Sequence, residues 1–258
     1  MKTLTTFPFL PLMTALCLLC MQSCDQTPGT ASLRTSATYP LTGGSEAALE
    51  LKSDVEYLVP ASNSGTAATD SINRTIISCV FGEEYADTDL PDVMSTWAAD
   101  AVGEYKSLNL PMLEENPDAS VAALSWVEHL QGEVNCIHKG ILSYTVTKYA
   151  YLGGAHGMTS ITALNFDLDN GSLITEKGFF KDGYEERLST LLSSHLPEAL
   201  QEPGDTAMLF TKDIRPNGNF RVSETGITYI YNQYEIGPYV LGAVEVTIPW
   251  SELKDLLR

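Results

Sequence analysis

Basic residues are scarce in this chain: 15 Lys and Arg stand against 33 Asp and Glu, a net charge of −18. Nucleic acid and anionic membrane surfaces are therefore poor partners, since both are bound through clustered Lys and Arg. Histidine is scarcer still, at four in 258 residues, and no two stand at HxxH or HxxxH spacing. The chain has no HExxH or GxSxG, and no CxxC beyond residue 23. The sequence signatures of a zinc site, a redox dithiol and a serine hydrolase are thus missing. No metal, cofactor or catalytic residue is expected, and the chain is not read as an enzyme. No apolar run reaches the roughly 20 residues that a membrane-spanning helix needs.

What the chain does have begins at its start. Lys2 is the one charge before an apolar run from Phe7 to Met21, followed by Gln22, Ser23 and Cys24. That layout is a signal peptide over residues 1–23. A small residue directly before a cysteine, at the end of such a run, resembles a lipobox. Cys24 is therefore the expected lipid attachment, with the membrane reached through that anchor alone and the protein in the cell envelope, facing the periplasm. Loss of Lys2 leaves 14 basic and 33 acidic residues, 14 − 33 = −19. Of five cysteines, Cys79 and Cys136 then remain. One disulfide and two separately buried thiols are both compatible with the sequence.

Residues 24–48 are rich in Thr, Ser, Gly, Pro and Ala, the composition of a flexible linker. Leu49–Pro60 reads as a strand. Asp70 or Ser71 can cap a helix that carries Ile72, Ile76, Cys79 and Val80 on one face. A second helix starts at Asp89-Leu90-Pro91, with proline in its first turn, and repeats Val93, Met94, Trp97, Ala101 and Tyr105. The period then changes to two over Val121–Leu130, with Val134–Lys139 as its pairing segment, and over Ile141–Leu152 and Ile161–Leu168. Asp169-Asn170-Gly171 is a hairpin turn signal. Tyr184, Leu188, Leu191, Leu192 and His195 mark a helix that Pro197 should stop. Three more strands and a short helix from Ser251 close the chain. Helices first and mostly sequential strands afterwards predict an α+β fold of two small lobes, with antiparallel sheets packed against helices. The expected lobes are residues 49–150 and 151–258.

Two segments stand apart. Gly153-Gly154-Ala155-His156-Gly157 places three glycines directly after a strand, with a histidine able to donate or accept a hydrogen bond near neutral pH. Its plainer reading is a tight turn stapled by His156. Tyr229-Ile230-Tyr231-Asn232-Gln233-Tyr234-Glu235-Ile236-Gly237-Pro238-Tyr239 holds four tyrosines in eleven residues. Tyrosine offers flat, amphipathic surface for a sugar or for a protein pocket. Tyr229 and Tyr231 share one strand face and read more simply as core. The candidate ligand-binding set is Gly153, Gly154, His156, Tyr231, Tyr234, Glu235 and Tyr239.

YLGGAHG at Tyr151–Gly157, and YNQYEIGPYVLG at Tyr231–Gly242 followed by VTIPWSEL, resemble the extracytoplasmic two-lobe domain shared by the anti-sigma factor RsiV and the N-terminal region of the deacetylase PdaC. The resemblance implies a non-catalytic binding module, since the deacetylase's separate metal-binding domain has no counterpart in these residues. It also implies a wall-associated ligand: lysozyme or another basic protein, or else peptidoglycan. A hydrolase using Glu235 beside His156 is the remaining alternative.

Overall fold

The computed structural model describes residues 28–61 and 66–258. The signal peptide and Cys24 lie outside the described residues. Most of the expected linker does not, and it is no linker. Strand β1 occupies Gly29–Pro40 and pairs antiparallel with β2, Ala48–Val59, along its full length. Ala31, Leu33 and Thr35 are buried at period two while Arg34 and Ser36 are exposed. Of these only Leu33 joins the first core as a large apolar side chain, with Ala31 and Thr35 filling in beside it.

The chain then crosses over through two helices. In α1, Thr66–Phe81, the face formed by Ile72, Ile76 and Val80 is buried. The helix begins ahead of the expected cap at Asp70 or Ser71. Asn73 clamps α1 to the end of β2, accepting from the Leu58 N–H at 2.9 Å and donating to its carbonyl at 2.8 Å. In α2, Leu90–Glu115, Asp89 stands at the N-cap, and Val93, Met94, Trp97, Ala101 and Tyr105 face inward. Strand β3, Trp126–His138, follows in one piece, so the segments read as two pairing strands are one. It pairs parallel with β2, the one departure from antiparallel strand pairing among the described residues. A helical crossover delivers the chain to the same end of the sheet, which makes that orientation natural. Strands β4, Ile141–Leu152, and β5, Met158–Asp167, complete a sheet in the order β1-β2-β3-β4-β5.

The hairpin of β4 and β5 therefore belongs to the first lobe, and the expected boundary at residue 150 moves to the segment after Asp167. Phe166 and Leu164 of β5 lie in the first core with Leu142, Tyr144 and Val146 of β4, which fixes that assignment. The second lobe holds α3 (Glu176–Phe179), α4 (Glu185–Ala199), β6 (Phe220–Val222), β7 (Gly226–Tyr231), β8 (Val244–Pro249) and α5 (Trp250–Leu253). Its sheet is antiparallel in the order β6-β7-β8. Helix α4 runs two residues past Pro197 and buries Leu188, Leu191, Leu192 and Leu196. These leucines meet Phe220, Tyr229, Tyr231 and Val246 in a second core. The molecule is thus an α+β protein of two lobes, each with its own core. Cys79 and Cys136 form no disulfide: the Cys136 thiol donates to the Val222 carbonyl at 3.1 Å, and burial pushes both thiols up.

Candidate functional site

The turn joining β4 to β5 is built by packing, and only glycine meets two of its demands. Gly153 sits at φ +78°, and a Cβ there would stand 2.2 Å from the Ala123 carbonyl oxygen. Gly157 lies under Tyr149, whose hydroxyl would be 2.4 Å from an added Cβ. Gly154 has open space beside it. Gly153→Ala is expected to cost about 3 kcal/mol, from the left-handed backbone and the displaced Ala123 peptide together. Gly154→Ala should change stability by under about 0.5 kcal/mol, the ordinary surface value. Urea unfolding of the two variants checks the contrast.

The turn lifts His156 onto the second lobe. Its ring stacks on Tyr239, with centroids 4.1 Å apart and planes 29° off parallel. Tyr239 in turn meets Tyr234 at 6.1 Å. The first pair is stacked and the second tilted by 40°, and aromatic pairs at such centroid distances attract. Tyr234 has φ +68°, a left-handed conformation uncommon for a residue with a side chain, and the residue is 49% exposed. The three rings form a ledge across the seam between the lobes. Val240, 74% exposed, and Phe210, 62% exposed, stand near it in sequence and backbone bonding: the Phe210 N–H donates to the Ile236 carbonyl at 2.9 Å.

Two predicted residues sit differently. Tyr231 is 2% exposed, and its hydroxyl donates to the Arg215 carbonyl at 2.8 Å. Its assignment to the ligand site is corrected: β7 is buried on both faces, so a tyrosine in phase with Tyr229 points into the core. Glu235 is exposed at the foot of the ledge and accepts from the Asn217 amide at 2.9 Å. His156 has its own partner, with Nδ1 3.2 Å from the Gly157 carbonyl. No hydrogen bond joins Glu235 to His156 among the described residues.

Sequence reasoning missed a carboxylate that organises the second lobe. Glu176 accepts from the Tyr184 hydroxyl at 2.8 Å, from the Tyr229 hydroxyl at 2.8 Å and from the Gly218 N–H at 2.9 Å. Burial first, then the Glu176 carboxylate, push both phenols well above their ordinary range. Glu176 and Tyr184 line a cavity of about 360 Å³. A neighbouring cavity of about 590 Å³ lies at the far end of the β4–β5 hairpin, against His138, Asp167, Phe179, Trp250 and Arg258. There the His138 ring stacks on Trp250 at 5.8 Å. None of the residues predicted for ligand binding lines either cavity. Among the described residues, no group of His, Cys, Asp and Glu is placed to hold a metal ion.

The fold and its ledge define a two-lobe α+β domain pair whose exposed feature is aromatic surface. By sequence the chain belongs to the PdaC family: the family model described as deacetylase PdaC matches residues 28–159, just over half of the chain. The second lobe matches the protein family of unknown function DUF3298 over residues 177–251. The chain is 26% identical over 125 residues to the peptidoglycan-N-acetylmuramic acid deacetylase PdaC of Bacillus subtilis. That match covers 46% of this chain and 27% of the deacetylase, so it spans about a quarter of the relative's length. A crystal structure of a DUF3298 family member from Bacteroides fragilis superposes with a TM-score of 0.80 at 28% identity, covering 90% of this chain and 94% of the other. A DUF3298 family protein from Pseudomonas aeruginosa shares the fold, with a TM-score of 0.65 at 18% identity over 91% and 96% of the two chains.

Proposed function

We propose that this protein is an extracytoplasmic component of the cell envelope, held through Cys24, and that it works as a non-catalytic binding module for a basic wall-associated protein such as lysozyme. Membership of the PdaC family supports the envelope location. No helix among the described residues is long and apolar enough to cross a membrane. The observation that carries the binding reading is the ledge of His156, Tyr239 and Tyr234. Tyrosine is among the residues enriched at the few positions that carry most of the energy of a protein interface. The surplus of 33 acidic over 15 basic residues complements a basic partner and speeds its encounter. Glu235, already held by Asn217 and without a bond to His156, supports a scaffold role over an acid–base one.

Peptidoglycan is a second reading, favoured by the stacked His156 and Tyr239 rings and by the relative whose name makes it a deacetylase of that polymer. Titration of hen lysozyme into the purified protein separates the two. Binding at about 10 mM salt should weaken markedly by about 150 mM, where the Debye length has fallen from roughly 30 Å to roughly 8 Å. Absence of lysozyme binding at low salt, with retention on isolated sacculi, would reverse the order of the readings.

A further inference from the structure

The ledge is drawn from two bodies. His156 belongs to the first lobe, and Tyr234 and Tyr239 to the second. At the far end of the β4–β5 hairpin the lobes meet through Ile141, which packs against the second core, and through the His138 ring stacked on Trp250. At the ledge end they are joined by side-chain amides along β5.

Strand β5 is the last strand of its sheet, and an edge strand presents unpaired backbone groups. Three of its N–H groups, at alternate residues, are taken up from the second lobe. Thr159 donates to the side-chain oxygen of Gln233 at 2.9 Å, Ile161 to that of Asn232 at 2.7 Å, and Ala163 to that of Asn219 at 2.7 Å. The Ile161 carbonyl accepts back from the Asn232 amide at 3.0 Å and from the Asn219 amide at 2.8 Å. Asn165 reaches the other way, donating to the Phe220 carbonyl at 2.7 Å and accepting from the Val222 N–H at 2.9 Å. The amides of Asn219, Asn232 and Gln233 thus take the place that the backbone of a sixth strand would fill.

We propose that Asn232 and Gln233 are positioning residues of the ligand ledge, strapping the loop that carries Tyr234 and Tyr239 to the edge of β5 so that Tyr239 meets His156 and Tyr234 meets Tyr239. The proposal rests on the reading of the ledge as a ligand site. Thr159, held by Gln233, is three residues from His156, and Gln233 directly precedes Tyr234. The left-handed backbone of Tyr234 turns the chain away from the strap immediately after it, which sends its ring outward. The two strap residues use their amides differently. Asn232 needs both ends of its amide, whereas only the Gln233 oxygen bonds β5.

That difference supplies the test, made on the whole protein by NMR and by lysozyme titration. Asn232→Ala should raise hydrogen exchange at the Ile161 amide at least about tenfold, remove the ring-current shift that Tyr239 imposes on His156, and weaken lysozyme binding about tenfold. Asn232→Asp should fail to restore these signals, because its carboxylate faces the Ile161 carbonyl. Gln233→Glu, which keeps an acceptor for Thr159, should match the parent, while Gln233→Ala should not. Circular dichroism confirms that both lobes are folded, and if Asn232→Ala does not fold, the Gln233 pair decides. Unchanged His156 resonances in the alanine variants, or equal rescue by Asn232→Asp, would overturn the proposal. Strap signals that move as expected in a protein that never binds lysozyme would instead sink the ligand reading and leave the strap standing.

Discussion

Replacing Glu176 with alanine lowers the stability of the second lobe by about 4 kcal/mol, the largest single effect expected in this molecule. Three donors converge on that carboxylate, and two are phenols of buried tyrosines, Tyr229 at 0% and Tyr184 at 7% exposed. Each buried donor stranded without a partner costs about 1–3 kcal/mol, more than the bond itself contributes. Glu176→Gln keeps one acceptor oxygen and should cost roughly half as much. The same site sets an alkaline limit. The folded phenols hold their protons more tightly than unfolded tyrosine, whose pKa is about 10. Their contribution is complete below that pH and declines as pH rises above it, because the unfolded chain then binds fewer protons than the folded one. Urea titrations of parent and variants at about pH 7 and about pH 10.5 measure both effects. A loss below about 1 kcal/mol in Glu176→Ala would show that water or a rearranged neighbour serves the two phenols as well.

The second large effect concerns binding. Tyr234→Ala and Tyr239→Ala should each weaken lysozyme affinity by about 30-fold, some 2 kcal/mol, and the double variant by at least about 100-fold. Folding stability should fall by no more than about 1 kcal/mol for Tyr234, which is half exposed and holds no core position. Tyr239 has a further consequence, since its ring is the surface on which His156 rests. Calorimetric titration of the parent and the three variants decides the matter. Affinities within twofold of the parent would move the interface off the ledge.

How far the sequence anticipates this arrangement depends on the range of the interactions involved. Helices α1 and α2 are legible because Ile72, Ile76 and Val80, and Val93, Trp97 and Tyr105, recur at the helical period, and α2 also has a proline in its first turn. Strand β1 is not: of its inward residues Ala31, Leu33 and Thr35 only Leu33 is large and apolar, and the Thr, Ser and Gly around them give the composition of a linker. The parallel pairing of β2 and β3 leaves no local mark, since it follows from the crossover. The ledge is legible as an excess of tyrosine beside a glycine-rich turn. Tyr231 misleads because strand phase distinguishes Tyr231 from Tyr229 in neither direction, and both faces of β7 are covered. Glu176 is invisible for a different reason: its partners stand 8, 42 and 53 residues away. For Asn232 and Asn219, no local pattern says that their amides end on another lobe's strand.

The closing of β5 by side chains bears on how the protein behaves in a crowded compartment. Open strand edges are templates on which further chains add, leading to polymers and fibres. Amides from a neighbouring lobe satisfy the Thr159, Ile161 and Ala163 N–H groups, yet offer an incoming chain no continuous backbone to copy. The opposite rim is guarded otherwise, by Arg34 projecting from β1 and Pro40 at its end. A protein built this way can keep aromatic surface exposed for a partner without its sheet becoming a seed for self-assembly.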